Sequence, residues 1–239
     1  MPIQRSENRA PGDLRAVSFQ RGFTDTAPGS VLASFGRTRV LCTATYLDGV
    51  PSFLQGSGRG WLTAEYAMLP SSTSSRKPRE RAKLDGRSVE IQRLIGRSLR
   101  SVMDFKKMTE RTIWVDCDVL QADGGTRTTA ISGAWVALHD LLGHMDKRRV
   151  LRDWPLQSQL GAVSVGVVDG VPVCDLDYNE DKDAEVDMNL VMTGEGHFVE
   201  VQGSAEGATF PRETLDAMLD LGAAGIERIF EIQRATLEG

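Results

Sequence analysis

The first third of the chain alternates short apolar runs with turn residues, a pattern that predicts β-strands. Residues 30–36 and 38–47 are rich in apolar and β-branched side chains and flank a tight turn that contains Gly36, so we expect a β-hairpin. Residues 61–69 predict another strand. Residues 70–83 hold two prolines, four serines and almost no apolar side chain, which predicts a loop that we expect to be mobile.

The hydrophobic period changes to that of a helix over residues 88–104. Arg93, Arg97 and Arg100 fall on the face opposite the apolar stripe. Arg87, in contrast, is expected to lie at the start of the helix and close to that stripe. Because a buried arginine without an anion is costly and a helix N-terminus attracts anions, this position predicts an anionic partner. The stripe consists of Ile91, Leu94, Ile95, Leu99, Val102 and Met103.

Strands and helices alternate again in the rest of the chain. Two further hairpins are expected, one around Asp169-Gly170 and one around residues 194–196. Strands are predicted over 112–120, 161–170, 171–178, 186–193 and 197–203, and helices over 129–145 and after Pro211. This order predicts an α+β fold, arranged as β-α-β in two layers and as a single domain over residues 1–239. No sequence repeat is clear enough to indicate an internal duplication.

The composition is that of a globular protein. Of the 239 residues, 41% are hydrophobic and 26% are charged, which excludes collagen-like, disordered and disulfide-stabilised classes. No apolar run approaches the roughly 20 residues that cross a bilayer, and the N-terminus lacks a signal-peptide pattern, so we expect a cytoplasmic protein with no membrane partner. The three cysteines are far apart and have no CxxC pairing, which predicts reduced, buried thiols.

Charge is strongly segregated along the chain. Residues 76–100 hold nine basic residues, seven of them arginine, and three acids, whereas residues 175–187 hold seven acids and one lysine. A local basic block in a chain of net charge −5 favours an anionic ligand at one place over non-specific coating of nucleic acid. Guanidinium forks match phosphate oxygens, which favours phosphate. Solvated or salt-bridged faces, with Glu90 and nearby acids as partners, are the alternative.

Residues 123–128 place two glycines, Thr126, Arg127 and Thr128 between a strand and an apolar helix. Glycines allow successive N–H groups to point at one anion, and both the helix start and Arg127 add positive charge. The segment therefore has the composition of a phosphate cradle, although it matches neither a Walker loop nor a dinucleotide-binding pattern. A plain turn between a strand and a helix is the alternative.

Asp181 and Asp187 are the candidate reactive acids of the acidic block, and Asp187 opens a strand. Two carboxylates close in space can hold a divalent metal ion, or one of them can act as a general acid. A solvated acidic loop is the alternative. Serine hydrolase chemistry is weakly supported because no GxSxG motif occurs and the three histidines lie far from any serine turn.

Taken together, these motifs resemble the ribonuclease PH family of phosphate-dependent 3′-to-5′ exoribonucleases. The most specific stretch is DCDVLQADGGTRT at 116–128. Other matching stretches lie at 29–45, 60–70, 90–100, 162–168, 174–189 and 199–207. The resemblance implies the β-α-β fold that this family shares with a ribosomal protein domain. It also implies a homo-hexamer, built as a trimer of dimers.

The resemblance assigns roles to individual residues. It implies an inorganic phosphate site formed by Arg87, Gly125, Thr126 and Arg127. It further implies that Asp181 and Asp187 hold Mg²⁺ or Mn²⁺, or that one of them protonates the leaving group.

Arginines outside this site are expected to contact RNA. Arg76 and Arg79 correspond to family arginines that bind the acceptor stem of tRNA, and Arg93 is expected to contact RNA as well. The family often has arginine where this chain has Ser71, so one RNA contact is expected to be weaker. The arginine-rich face of the 88–104 helix is expected to be covered in part by RNA or by a neighbouring subunit.

The expected function is that of a phosphorolytic exoribonuclease, or tRNA nucleotidyltransferase, that trims the 3′ ends of tRNA precursors. Orthophosphate is expected to attack the terminal phosphodiester and to release nucleoside 5′-diphosphates, in a reaction that also runs backwards. A non-catalytic RNA-binding subunit of a hexameric, exosome-like ring is the alternative. A hydrolytic nuclease would release monophosphates without phosphate, and an ATP-dependent phosphotransferase lacks a recognisable ATP loop.

Overall fold

One sheet is built from the N-terminal half of the chain. A computed structural model describes residues 5–79, 85–205 and 209–239. The strands of this sheet are β1 (Val17–Arg21), β2 (Gly29–Phe35), β3 (Thr38–Asp48), β4 (Trp61–Met68) and β5 (Arg111–Gln121). They lie in the order β1-β2-β3-β5-β4 and are antiparallel except for the parallel pair of β4 and β5.

A second, antiparallel sheet is built from the C-terminal half. Its strands are β6 (Leu160–Val168), β7 (Val171–Cys174), β8 (Val186–Thr193) and β9 (Phe198–Ala205), in the order β7-β6-β8-β9. A two-residue turn joins β6 to β7. Asp169 and Gly170 both have left-handed backbones there, with φ of 50° and 72°. Such a turn matches the twist of an antiparallel pair, so the Asp-Gly sequence itself specifies the hairpin.

The described residues form four α-helices, which are α1 (Gly86–Ser101), α2 (Thr126–Lys147), α3 (Tyr178–Asp183) and α4 (Arg212–Glu238). Helix α2 packs between the two sheets. Gly133 approaches Ala33 so closely that an added Cβ would lie 2.5 Å from the alanine Cβ. On the other side, the Ser132 hydroxyl accepts a hydrogen bond from the Ala162 backbone N–H at 3.1 Å. Because α2 is buried on both sides, its start is fixed relative to both sheets.

Helix α4 covers the opposite face of the second sheet. Gly222 of this helix lies against Leu190 of β8, and Gly225 lies against Val163 of β6. Neighbouring residues of a strand point to opposite faces, so Ala162 faces α2 while Val163 faces α4. Helix α1 packs on β4 at the edge of the first sheet. Most of the buried apolar residues join into one continuous core that includes both sheets and α1, α2 and α4.

The predicted α+β class and β-α-β arrangement are confirmed, and α4 adds a layer outside the second sheet. All three expected hairpins form. The helix predicted over 88–104 is shifted, since it begins at Gly86 and ends at Ser101. The strand predicted over 171–178 is too long, because the chain leaves the sheet after Cys174 and forms α3.

Two short elements, β1 and α3, were missing from the sequence-based assignment. Strand β1 has only five residues and α3 only six, and neither shows a clear apolar period. Residues 70–79 of the predicted loop form neither helix nor strand, whereas residues 80–83 lie outside the described part of the chain.

The cysteines are buried and form no disulfide, as predicted for Cys42, Cys117 and Cys174. Burial raises the pKa of Cys174 to about 12, so this thiol stays protonated at neutral pH. Among the helices of the described residues, none has the length and apolarity to cross a membrane.

Candidate active site

One cavity of about 880 Å³ brings together every residue that the sequence predicted for phosphate binding or for the acidic pair. The start of α2 forms one wall, the start of α1 a second, and α3 with β8 a third. The predicted residues that line it are Arg87, Gly125, Thr126, Arg127, Asp181 and Asp187. Residues separated by about 100 positions in the sequence therefore meet at one place.

The glycine turn before α2 has a left-handed backbone conformation that would be strained for residues other than glycine. Gly124 and Gly125 have left-handed φ values of 75° and 62°. A Cβ on Gly124 would also lie 2.6 Å from the carbonyl oxygen of Leu176. The Thr38 hydroxyl donates to the Gly124 carbonyl at 2.7 Å and accepts from the Asp123 N–H at 2.9 Å. The turn is thus held in one conformation at the positive end of α2, where anions bind well.

A hydrogen bond from Tyr66 orients the hydroxyl of Thr126. The buried phenol donates a hydrogen bond to Thr126 Oγ1 at 2.9 Å. Burial raises the pKa of Tyr66, although this hydrogen bond and the positive charges of Arg87 and Arg127 act in the opposite direction. Tyr66 therefore remains a neutral donor at neutral pH. Because Thr126 Oγ1 accepts from Tyr66, its own proton is left to donate to another acceptor.

The guanidinium of Arg127 is held by two other elements. Its Nη1 donates to Glu90 Oε1 of α1 and to Gln202 Oε1 of β9, both at 3.2 Å. Gln202 Nε2 in turn donates to the same Glu90 oxygen at 3.0 Å. Sequence reasoning proposed Glu90 as a general salt-bridge partner but did not find Gln202. Both contacts use one nitrogen, so the guanidinium retains further N–H donors for an anion.

Arg87 lies in the first turn of α1 and is exposed. The expectation that its side chain would be buried beside the apolar stripe is wrong, because the helix begins at Gly86 and Arg87 faces the cavity instead. The conclusion that this position invites an anion does not depend on burial. Arg87 remains a cation that lines the same cavity as the glycine turn.

Five of the seven acids in residues 175–187 fall into two groups. Asp181 of α3 and Asp187 of β8 line the cavity. Asp175, Asp177 and Glu180 are buried and pair with arginines of the N-terminal segment. The prediction from sequence described the block as one feature and did not separate the cavity acids from the buried ones.

The buried arginines were also missed by the sequence analysis. Arg5 binds Glu180 through two nitrogens, at 2.7 and 3.0 Å, and Arg9 binds the same carboxylate at 3.0 Å. Burial alone would raise the pKa of Glu180, but Arg5, Arg9 and the Asp177 N–H outweigh it and lower the pKa. The available signal was the excess of acids in the block, since buried carboxylates require cations from elsewhere.

The arginines expected to bind RNA lie outside the cavity wall. Arg76, Arg79 and Arg93 are all exposed, and none of them lines the cavity. Ser71 and Lys77, from the same segment as Arg76, do line it. The segment at 71–77 therefore forms part of the cavity rim, while its one arginine, Arg76, faces solvent.

The arginine face of α1 is partly occupied by the chain itself. Arg97 pairs with Glu200 of β9 at 2.9 Å. Arg100 lies over the Trp61 ring at 4.9 Å and donates to the Leu62 carbonyl. Of the three arginines assigned to that face, Arg100 is therefore a packing residue rather than a solvent-facing one.

The residues present fit a magnesium ion only in part. Within the described part of the chain, no group of three or more His, Cys, Asp or Glu side chains could hold a metal. Asp181 and Asp187 do line one cavity together with Asn189. Mg²⁺ is commonly bound by one or two carboxylates plus substrate phosphate and water, so this donor set suits an ion that arrives with substrate.

Comparison with protein families gives a match over most of the chain. Residues 13–142 match the 3′ exoribonuclease family, domain 1, and residues 158–225 match domain 2 of the same family. The chain belongs to the 3′ exoribonuclease family. The first match ends inside α2, at residue 142, and the second begins at residue 158, just before β6.

Curated relatives within this exoribonuclease family match the chain from end to end. Ribonuclease PH of Synechococcus sp. (strain JA-2-3B'a(2-13)) is 55% identical and covers 99% of this chain and 98% of its own length. Ribonuclease PH of Synechococcus sp. (strain JA-3-3Ab) is 54% identical, with 99% of both chains covered. The predicted ribonuclease PH family and its phosphorolytic exoribonuclease activity are therefore confirmed.

Solved structures of exosome proteins share the fold. The crystal structure of rice (Oryza sativa) Rrp46 gives a TM-score of 0.81 at 20% identity, covering 98% of this chain and 100% of that chain. The Archaeoglobus fulgidus exosome with RNA bound to the active site gives 0.78 at 19% identity, covering 95% and 92%. At these identities the likeness supports the fold alone.

Proposed function

We propose that this exoribonuclease trims the 3′ ends of tRNA precursors with orthophosphate, which it holds between the glycine turn, Arg87 and Arg127. The proposal is supported by one cavity that is lined both by the glycine turn with Arg87 and Arg127 and by the carboxylates of Asp181 and Asp187. Binding orthophosphate beside the carboxylates places the attacking group next to a site for the leaving oxygen.

The chemical difficulty is charge repulsion, because an anionic nucleophile must approach an anionic diester. Arg87 and Arg127 offset this charge, and the N–H groups at the start of α2 fix the orientation of the phosphate. Thr126 contributes an oriented hydroxyl, since Tyr66 already satisfies its oxygen. The cavity therefore supplies donors that are in place before substrate binds, which lowers the cost of reorganisation during the reaction.

Asp181 and Asp187 act on the leaving side. A protonated carboxyl there donates its proton to the departing 3′-oxygen of the RNA. Mg²⁺ or Mn²⁺ held by the same two residues would supply charge stabilisation at the reacting oxygens. In both cases the carboxylates lie on α3 and β8, two elements that the second sheet and the buried arginines hold in place.

RNA enters over the rim of the cavity. Tyr178 is 54% exposed and lines the cavity three residues before Asp181, so it offers a ring on which a terminal base can stack. Arg76, Arg79 and Arg93 are exposed and suit the more distant phosphates of a tRNA. Ser71 lines the rim, where its short neutral side chain offers a weaker contact to the RNA backbone than an arginine would.

The products are nucleoside 5′-diphosphates and a shortened RNA. Breaking a phosphodiester while forming a diphosphate costs little net free energy, so excess nucleoside diphosphate drives nucleotide addition instead. This reversibility distinguishes phosphorolysis from hydrolysis.

The active form is a homo-hexamer assembled as a trimer of dimers. Several large apolar side chains are exposed in a single chain, and contacts between subunits would bury them. They are Phe23, Leu47, Phe53, Phe198 and Val201. Two structural neighbours are themselves exosome assemblies by name. Sedimentation as a stable and fully active monomer would contradict this part of the proposal.

The decisive experiment is incubation with a 3′-extended tRNA, with and without orthophosphate, followed by identification of the released nucleotide. We expect nucleoside diphosphates only when orthophosphate is present, and RNA extension when nucleoside diphosphate is supplied. Monophosphates released without orthophosphate would indicate a hydrolytic nuclease. Intact RNA under all conditions would indicate a non-catalytic RNA-binding subunit.

A further inference from the structure

A buried ion pair lies directly behind the glycine turn. Arg15 precedes β1, and its side chain is 3% exposed, while that of Asp175 is fully buried. Arg15 Nη2 and Nε donate to the two Asp175 oxygens at 2.6 and 3.0 Å, and the Arg15 backbone N–H donates at 2.7 Å. Burial alone would lower the pKa of Arg15, but the Asp175 carboxylate outweighs it and the pKa is raised.

The remaining nitrogen of the same guanidinium holds the phosphate turn. Arg15 Nη1 donates to the backbone carbonyl of Asp123, the first residue of the turn, at 2.5 Å. Arg15 Nη2 also lies 3.0 Å from the position that a Cβ on Gly125 would occupy. Arg15 does not line the cavity, so it supports the turn from behind the cavity wall. One guanidinium thus joins the turn to Asp175.

Asp175 is in turn part of the segment that carries the reactive acid. Its backbone is left-handed, with φ of 56°, and its carbonyl accepts from Arg9 at 2.7 Å. Two residues later, Asp177 caps α3 through the N–H groups of Asn179 and Glu180, and its carbonyl accepts from the Asp181 N–H at 2.8 Å. A series of short hydrogen bonds, together with the backbone between Asp175 and Asp177, therefore connects the glycine turn to Asp181 through Arg15.

We propose that Arg15 and Asp175 are positioning residues that set the distance between bound orthophosphate and the Asp181 segment. This inference rests on the proposed function of the cavity. An ion pair with a purely structural role would need only the contacts between Arg15 and Asp175. The additional hydrogen bond from Arg15 Nη1 fixes the Asp123 carbonyl, in a turn whose N–H groups bind the nucleophile. Small displacements of a nucleophile are costly in rate.

Arg15→Lys separates the two roles. Lysine keeps a positive charge for Asp175, but a single ammonium cannot reproduce the fork that binds Asp175 and Asp123 together. We expect the variant to fold and the KM for orthophosphate to rise about 10- to 100-fold, the effect of losing one charge-assisted hydrogen bond. The KM for RNA should stay within about twofold, because no RNA contact is changed.

A readout that does not depend on turnover is the rise in melting temperature caused by orthophosphate. A ligand stabilises the folded state in proportion to the logarithm of its concentration over Kd, so weaker binding reduces the shift at a fixed concentration. We expect the orthophosphate-induced shift to be clearly smaller in Arg15→Lys than in the wild-type protein.

Gln233→Met is the matched control for loss of buried polar contacts. Gln233 is fully buried in α4 and donates to the Ser132 and Leu160 carbonyls at 3.1 and 3.0 Å, away from the cavity. It should lower the melting temperature without changing the KM for orthophosphate. An Arg15→Lys variant that behaves like this control would overturn the inference and leave the proposed function intact.

Asp175→Asn is a second variant in case Arg15→Lys does not fold. It removes the charge that orients Arg15 and should also raise the KM for orthophosphate more than the KM for RNA. Equal changes in both constants would overturn the inference. A wild-type protein that neither releases nucleoside diphosphates nor gains stability from orthophosphate would overturn the proposed function, and the positioning role with it.

Discussion

Two groups of arginines in this chain have opposite surroundings. Arg5, Arg9 and Arg15 are buried and pair with Asp175 and Glu180, as part of one ionic layer. The cavity arginines are less fully neutralised. Arg127 contacts one carboxylate and one amide through a single nitrogen, and Arg87 is exposed. The difference shows that the buried arginines neutralise the protein's own carboxylates, whereas the cavity retains positive charge for an anion.

The largest expected effect concerns the ionic layer. Glu180→Ala leaves Arg5 and Arg9 without their shared carboxylate, and breaking a buried pair in this way costs about 3–5 kcal/mol of unfolding free energy. Urea denaturation of the wild type and the variant measures this loss. A change below about 1 kcal/mol would show that the layer does not stabilise the fold.

Substitution of a cavity arginine should reduce activity strongly and stability little, the reverse of the effect expected in the ionic layer. We expect Arg127→Ala to reduce phosphate-dependent RNA shortening about 10²- to 10³-fold, as for other preorganised charge-stabilising donors. Its unfolding free energy should change little, because the side-chain hydrogen bonds of Arg127 to the described residues are two, both on one nitrogen. RNA binding, measured without orthophosphate by filter binding, should be largely intact. Full activity in this variant would contradict the assignment of Arg127 to the phosphate site.

The pH dependence of stability provides a further test of the ionic layer. The pKa values of Asp177 and Glu180 are lowered in the folded state, so their contribution is present above the unfolded values of about 4 and lost as pH falls through the lower folded values. Unfolding free energy should therefore decrease below about pH 5. In Glu180→Gln this acid-dependent loss should be smaller, as measured by thermal unfolding across that range.

Acids on the first sheet provide the contrasting case. Burial and the nearby charge of Glu65 raise the pKa of Asp118, so its ionised form disfavours folding at neutral pH. Asp118→Asn should increase unfolding free energy at pH 7 by less than about 1 kcal/mol. The gain should disappear in acid, where the wild-type carboxyl is protonated. Destabilisation at pH 7 would show that this carboxylate has a favourable role in the folded state.

The smallest effect is expected on the outer face of α1. Arg93 is exposed, so Arg93→Ala should leave the melting temperature unchanged and reduce the salt dependence of RNA binding by about 0.7 in log–log slope. Arg97→Ala is the matched control on the same helix, because Arg97 already pairs with Glu200. An unchanged slope in Arg93→Ala would remove Arg93 from the RNA-binding residues.

Sequence patterns were sufficient for elements whose signal is local. The Asp169-Gly170 pair specifies its hairpin, since both residues accept a left-handed backbone. The glycine turn at 123–128 was also recognisable, because glycines, a strand end and an apolar helix occur together. Strand β1 and helix α3 have no such local signal, and their conformation depends on residues far away in the chain.

By itself, the sequence determined the α+β class, the family and the set of six cavity residues, because each depends on residue types in a fixed local order. The tertiary structure alone decided which charges would be neutralised. Asp175 and Asp181 belong to the same acidic block, yet Asp175 is buried in an ion pair with Arg15 and Asp181 lines the cavity. Whether a carboxylate is paired depends on its burial and on a partner such as Arg15, 160 residues away in the sequence. A local sequence pattern contains neither kind of information.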